Sequence, residues 1–175
     1  IVITVSGKLS GTYQSAMIAA DDYEENVFVV DSENVCIGER LLLYRGLELR
    51  YQGLTASEIV DTLNKEKKKI RLLALLDTLE YLKKGGRISS AVAFAGTLLS
   101  IKPVVSLVEG EIVMLGKARG SKQGNNLLRE LTLRGNGVDF DKPYALAYSG
   151  LSDKLLQKYI ADSAELYSAH TDELP

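Results

Sequence analysis

Three short segments bring hydroxyls, glycines and basic side chains to points where the chain turns. The first is Ser6-Gly7-Lys8-Leu9-Ser10-Gly11-Thr12, which follows the apolar run Ile1-Val2-Ile3-Thr4-Val5 and precedes residues with helical spacing. A helix starting there carries backbone N–H groups without intrahelical acceptors, and its dipole favours an anion. Ser6, Ser10 and Thr12 add hydroxyl donors, while Gly7 and Gly11 let the main chain approach a ligand closely. The chemistry would be the holding of a carboxylate or a phosphate. The plainer alternative is ordinary helix capping by Ser10, with Thr12 in the first turn; the residues alone leave both open. No Gly-Lys-Ser/Thr closes the segment, so it is not a Walker A loop, and it lacks the Gly-x-Ser-x-Gly of a hydrolase elbow.

The second segment is Lys83-Lys84-Gly85-Gly86-Arg87-Ile88-Ser89. A lysine pair at a helix end is favoured by the dipole, and the double glycine reverses the chain. Arg87 then either clamps a phosphate or a partner's carboxylate, or is a solvated side chain beyond a helix cap. The third, Lys117-Ala118-Arg119-Gly120-Ser121-Lys122, ends a strand and opens a helix, so Arg119 poses the same choice. Both lie in the stretch 83–129, which carries eight basic residues against only Glu109 and Glu111. That surface could dock a partner electrostatically.

Other chemistries are poorly served. One cysteine and one histidine cannot build a four-ligand zinc site, and no mechanism needing two histidines fits within the chain. Cys36, between Val35 and Ile37, reads as a buried inert thiol, and His170 as a solvated histidine in a polar tail. The carboxylates show no catalytic pairing. Asp31 closes an apolar strand, where α/β proteins place ligand groups, yet Asp31-Ser32 could equally start a turn. Nine tyrosines are scattered, and a formal net charge of −2 argues against an electrostatic nucleic-acid binder. No uninterrupted apolar stretch of about 18 residues exists to span a membrane. A free cysteine without a disulfide framework favours a reducing compartment, so the chain reads as cytoplasmic. It opens directly on a β-rich run, which suggests a piece excised from a longer protein.

The elements that must position these segments follow from periodicity. Residues 1–5 and 27–31 read as strands, 13–25 and 37–52 as helices, and Thr55-Ala56-Ser57-Glu58 as a capping box before another helix. Strand, helix, strand, helix signifies a parallel α/β unit. Beyond it, 71–76 reads as a strand, 77–84 as a short helix, and 88–99 as an alanine-rich apolar helix. Residues 101–108 and 111–118 read as a hairpin around Glu109-Gly110. A helix over 121–133, a strand over 144–149 and a helix over 152–167 complete the pattern. The fold class is α/β with two lobes: a parallel first lobe over 1–69, then an α+β lobe over 70–175 with a mainly antiparallel sheet, incomplete at its C-terminal end.

Three segments together resemble the bacterial DegV family of fatty-acid-binding proteins. Ser6 to Ala16 is similar to the family's "LSGTYQSA" turn, Leu79 to Ser89 to its "LeyLkkGGRIs" segment, and Leu98 to Val104 to its "LLnIKPi" segment. They occur in the family's order, and the likeness fades after about residue 150. The resemblance implies a long-chain fatty acid such as palmitate, stearate or oleate held between two lobes. Its carboxylate would lie near Ser6, Gly7, Ser10, Gly11 and Thr12, and the apolar residues 91–99 would wall its tail. It also implies a carrier role beside a separate kinase subunit that phosphorylates the bound carboxylate, with Arg87 and Arg119 facing that kinase or the acyl phosphate. The chain would then catalyse nothing itself and need no cofactor and no metal. Two departures stand out. The family usually has two serines where this chain has Ser6-Gly7. Its chains also begin earlier and end later, with a His-Gly-Pro-Gly-like segment that His170-Thr171-Asp172 only faintly echoes, so this chain reads as truncated at both ends. The alternative reading is a binder of a small phosphorylated metabolite at the glycine-rich and arginine-rich turns.

Overall fold

The computed structural model describes residues 1–88 and 101–167. The expected helix over 88–99, apart from Ile88 itself, lies outside the described residues, as does His170. The chain forms two compact units, one from Ile1–Leu72 with Ser106–Val113, the other from Leu73–Val105 and the chain from Met114.

In the first unit, β1 (Val2–Thr4) and β2 (Val29–Asp31) pair in parallel, with Val2 opposite Val29, Ile3 opposite Val30 and Thr4 opposite Asp31. Between them runs α1 (Thr12–Ala20), which continues as a 3-10 helix over Asp21–Asn26. Two further helices, α2 (Ile37–Tyr51) and α3 (Ala56–Glu66), complete the unit. The capping box read from the sequence is formed: the Glu58 amide donates to Thr55 Oγ1 at 3.4 Å, and the Thr55 amide donates to Glu58 Oε2 at 2.8 Å. Leu42 and Leu49 of α2 meet Ile59 and Leu63 of α3 and Val30 of β2 in one buried cluster. Side chains of this size contribute roughly 1.5–3 kcal/mol each on burial. Arg45 staples α2 to α3, donating to Glu66 at 2.7 and 3.2 Å.

The second unit contains β3 (Leu73–Leu75), α4 (Glu80–Lys84), α5 (Gly120–Arg134), α6 (Lys154–Asp162) and α7 (Ala164–Tyr167). Strands β4 (Ile101–Val108) and β5 (Glu111–Arg119) follow β3 in a three-stranded sheet of order β3-β4-β5. Only two residues join β4 to β5, which forces an antiparallel pair. Glu109 and Gly110 both take positive φ, 50° and 79°, as a primed hairpin turn requires. The tip of this hairpin, Ser106–Val113, is compact with the first unit. Helix α5 lies on β3 with Gly124 against Leu75, where an added Cβ would come within 2.8 Å of the leucine methyls. Phe140 and the rings of Tyr144, Tyr159 and Tyr167 pack edge to face.

Three sequence expectations need correction. Residues 144–149 form no strand: they run as irregular chain and join neither sheet among the described residues. The expected helix over 152–167 breaks at the buried Ser163, whose amide turns back to the Ile160 carbonyl at 3.2 Å. Cys36 is exposed, not buried: it is the N-cap of α2 with φ 52°, and this turn carries the thiol outward although both neighbours are apolar.

Candidate functional site

Because β1 and β2 run parallel, the loops that leave them emerge on the same side of the sheet, at the carboxyl ends of the strands. The loop after β1 is the hydroxyl-rich turn, and the loop after β2 is Ser32-Glu33-Asn34-Val35-Cys36. They are laced together. The Ser6 amide donates to the Asn34 carbonyl at 2.8 Å, and the Ser32 amide to the Thr4 carbonyl at 3.1 Å. Ser32 and Asn34 close a buried local ring, the Ser32 hydroxyl donating to the Asn34 carbonyl at 3.0 Å and the Asn34 amide to Ser32 Oγ at 3.1 Å.

The five residues of the turn divide into distinct roles. Ser6 is wholly buried. Its hydroxyl donates to the Gly110 carbonyl at 2.7 Å and accepts from the Lys8 amide at 3.2 Å, while its own carbonyl receives the amides of Leu9 and Ser10. It pins the turn to the hairpin tip. Gly7 is exposed, and its amide donates to both Asp31 oxygens, at 3.2 and 3.1 Å. Gly11 is the N-cap of α1, the place that ordinary capping would have assigned to Ser10. Ser10 sits one residue earlier, its Oγ accepting from the Thr12 amide at 3.3 Å and lying 2.8 Å from Thr12 Oγ1. Ser10 is half-buried and Thr12 exposed, so this hydroxyl pair faces solvent at the start of α1. The amides of Tyr13 and Gln14 follow in the first turn, where no preceding helical carbonyl exists to accept them.

Asp31, left open by sequence reasoning, is the carboxylate of this site. Its Oδ1 also accepts from the Glu33 amide at 2.8 Å. Lys67 reaches in from beyond α3 with only a tenth of its side chain exposed, donating to the Asp31 main-chain carbonyl at 2.8 Å and pairing with Glu33 at 3.0 Å. Nothing local in the sequence announces Lys67 or Gly110. The signal for Asp31 was its place at the end of a parallel strand. Beside this site, Ile3, Cys36, Glu39, Arg40 and Leu43 line a shallow hollow of about 220 Å³, and burial raises the Glu39 pKa above its ordinary value.

The two arginines belong to the second unit. Gly86, with φ 73°, ends α4, and the Arg87 amide returns to the Leu82 carbonyl at 2.9 Å. The Arg87 side chain is exposed and folds its guanidinium onto the Gly85 carbonyl. Arg119 is exposed at the N-cap of α5, its amide donating to Gln123 Oε1 at 3.2 Å. Among the described residues no group of histidine, cysteine and carboxylate side chains is arranged to hold a metal ion, and no helix is long and apolar enough to cross a membrane.

A family profile described as uncharacterised protein, DegV family, matches residues 1–172. The chain belongs to the DegV family. A DegV domain-containing protein of Caldanaerobacter subterraneus subsp. tengcongensis is 33% identical over 141 residues, which cover 80% of this chain and 50% of that protein. The structure described as fatty acid binding of a DegV family protein from Thermus thermophilus is 37% identical, with a TM-score of 0.68 over 74% of this chain and 46% of that one. The B3 protein of the Streptococcus pneumoniae fatty acid kinase, loaded with linoleic acid, is 26% identical, with a TM-score of 0.76 over 95% of this chain and 60% of that one. This DegV chain therefore spans about half the length of the curated relative it matches. The family resemblance carried by the three sequence segments and the mixed α/β fold it implied are both borne out.

Proposed function

We propose that this DegV chain holds a long-chain fatty acid such as palmitate, stearate or oleate and presents it to a separate kinase subunit. Its carboxylate would sit at the turn of Ser6, Gly7, Ser10, Gly11 and Thr12. The observation that carries this reading is that solved relatives sharing the fold are described with fatty acids, one of them as a protein of a fatty acid kinase. Physical chemistry supports it. The Ser10–Thr12 hydroxyl pair and the first amides of α1 offer donors to an anionic head. Each buried methylene of the tail contributes about 0.8 kcal/mol, so few polar contacts suffice. The chain itself would transfer no phosphoryl group. Arg87 and Arg119, exposed on the basic stretch, would face the kinase or the acyl phosphate.

Native mass spectrometry of protein purified without added lipid tests the reading, using both the 175-residue chain and a family-length form. A co-purified fatty acid, or uptake of added palmitate or oleate, is expected. Absence of both would refute it, and thermal stabilisation by sugar phosphates but not by fatty acids would favour a phosphorylated-metabolite binder. For the kinase coupling, Arg87→Ala and Arg119→Ala should slow acyl-phosphate formation while lipid uptake persists.

A further inference from the structure

The turn that would receive the ligand already carries a carboxylate of its own. Asp31 places both oxygens on the Gly7 amide, at 3.1 and 3.2 Å. Its stronger bond is elsewhere, the 2.8 Å contact from the Glu33 amide to Oδ1. The Gly7 contact is thus a long, shared bond, outside the roughly 2.7–2.9 Å range of strong charge-assisted pairs, and it can be exchanged. Lys67 does not neutralise the group, since its ammonium meets the Asp31 main-chain carbonyl and the Glu33 carboxylate. Asp31, Glu33 and Lys67 together leave one uncompensated negative charge beside an amide that an anion would seek. Space is equally tight: a Cβ at position 7 would lie 2.9 Å from Asp31 Oδ2. Glycine is what lets the aspartate approach.

We infer that Asp31 competes with an incoming head group for the Gly7 amide and is a specificity-determining residue, lowering affinity for a carboxylate relative to an uncharged head group on the same chain. The inference rests on the turn being the head-group site. It gives the contact a function beyond loop closure. A fatty acid must displace Asp31 or bind beside it against like charge, whereas an alcohol can donate to it.

The test compares palmitate with hexadecan-1-ol, measured by calorimetry on the wild-type protein, Asp31→Asn and Gly7→Ala. Asparagine removes the negative charge and, with Oδ1 kept on the Glu33 amide, leaves the Gly7 amide only that neutral, shared oxygen at 3.2 Å, the 3.1 Å contact to the second carboxylate oxygen being lost. Alanine at position 7 pushes Asp31 away by contact. Asp31→Asn should tighten palmitate by about tenfold, the scale of one charge-assisted hydrogen bond, with hexadecanol unchanged or weakened. Gly7→Ala should move the ratio of the two affinities in the same direction. If palmitate binds and the ratio is unmoved or falls in a variant whose melting shows it folded, the inference is overturned and the lipid reading stands. If neither lipid binds any of the three proteins, the reading of the turn fails and the inference fails with it. Should Asp31→Asn not fold, Gly7→Ala decides alone.

Discussion

Replacing Ser6 by alanine should destabilise the protein markedly while leaving the head-group donors in place. Ser6 is fully buried, and its hydroxyl serves Gly110 at 2.7 Å and Lys8 at 3.2 Å. Alanine fills nearly the same volume, so the cost is polar. The Gly110 carbonyl, in a buried residue, loses its donor, and an orphaned buried acceptor costs about 1–3 kcal/mol. The Lys8 amide lies nearer the surface, where water can replace most of the lost bond. The sum is about 2 kcal/mol, equivalent to a melting temperature lower by roughly 4–8 °C for a chain of this size. Urea denaturation followed by circular dichroism measures it. Ser10→Ala and Thr12→Ala provide the contrast, because their mutual bond is solvent-facing and its loss should cost about 0.5 kcal/mol or less. Those two variants should instead weaken palmitate binding. The reasoning is refuted if Ser6→Ala unfolds at the wild-type urea midpoint, or if it stays as stable but loses lipid, for then Ser6 would be a ligand contact and not a pin.

Four further outcomes are expected. Gly110→Ala should cost at least as much as Ser6→Ala, since φ is 79° and the new Cβ would meet Ser6 Oγ at 2.5 Å. The double variant should fall short of the sum, because both changes break one contact; a double-mutant cycle in urea reads this. Leu63→Ala, at the fully buried centre of the first unit, should lose about 2–5 kcal/mol with an unchanged denaturant slope. The capping box should be pH-dependent. Hydrogen bonds from the Thr55 hydroxyl and amide hold the Glu58 pKa below its ordinary 4.5. A depressed carboxylate pKa contributes stability that is present above 4.5 and is lost as pH falls through the folded-state value. The stability gap between wild type and Thr55→Ala should therefore shrink on acidification below that point. A gap that widens would contradict the assignment.

What could be read from the residues alone was the part whose cause is local. The Thr55–Glu58 box closes over three residues, and the Glu109-Gly110 turn needs positive φ at two consecutive positions. Both signals are contained in their own sequence windows, and both appear as expected. The alternation of strand and helix over the first residues, and the three family-like segments, are likewise written along the chain. Where a boundary depended on a neighbour, periodicity failed. Residues 144–149 have strand composition but no ladder to join, Cys36 has apolar neighbours yet points outward, and Ser10 yields the cap position to Gly11.

The candidate site shows the same division. The sequence alone determined that hydroxyls, glycines and a helix start stand together at 6–12, and that this pattern suits an anion. Only tertiary structure decided which of those groups are spent. Ser6 bonds to a carbonyl 104 residues away, and Gly7 to a carboxylate 24 residues away. Hydrogen-bond partners at such separations are set by strand pairing and loop packing, which no local window of residue types encodes.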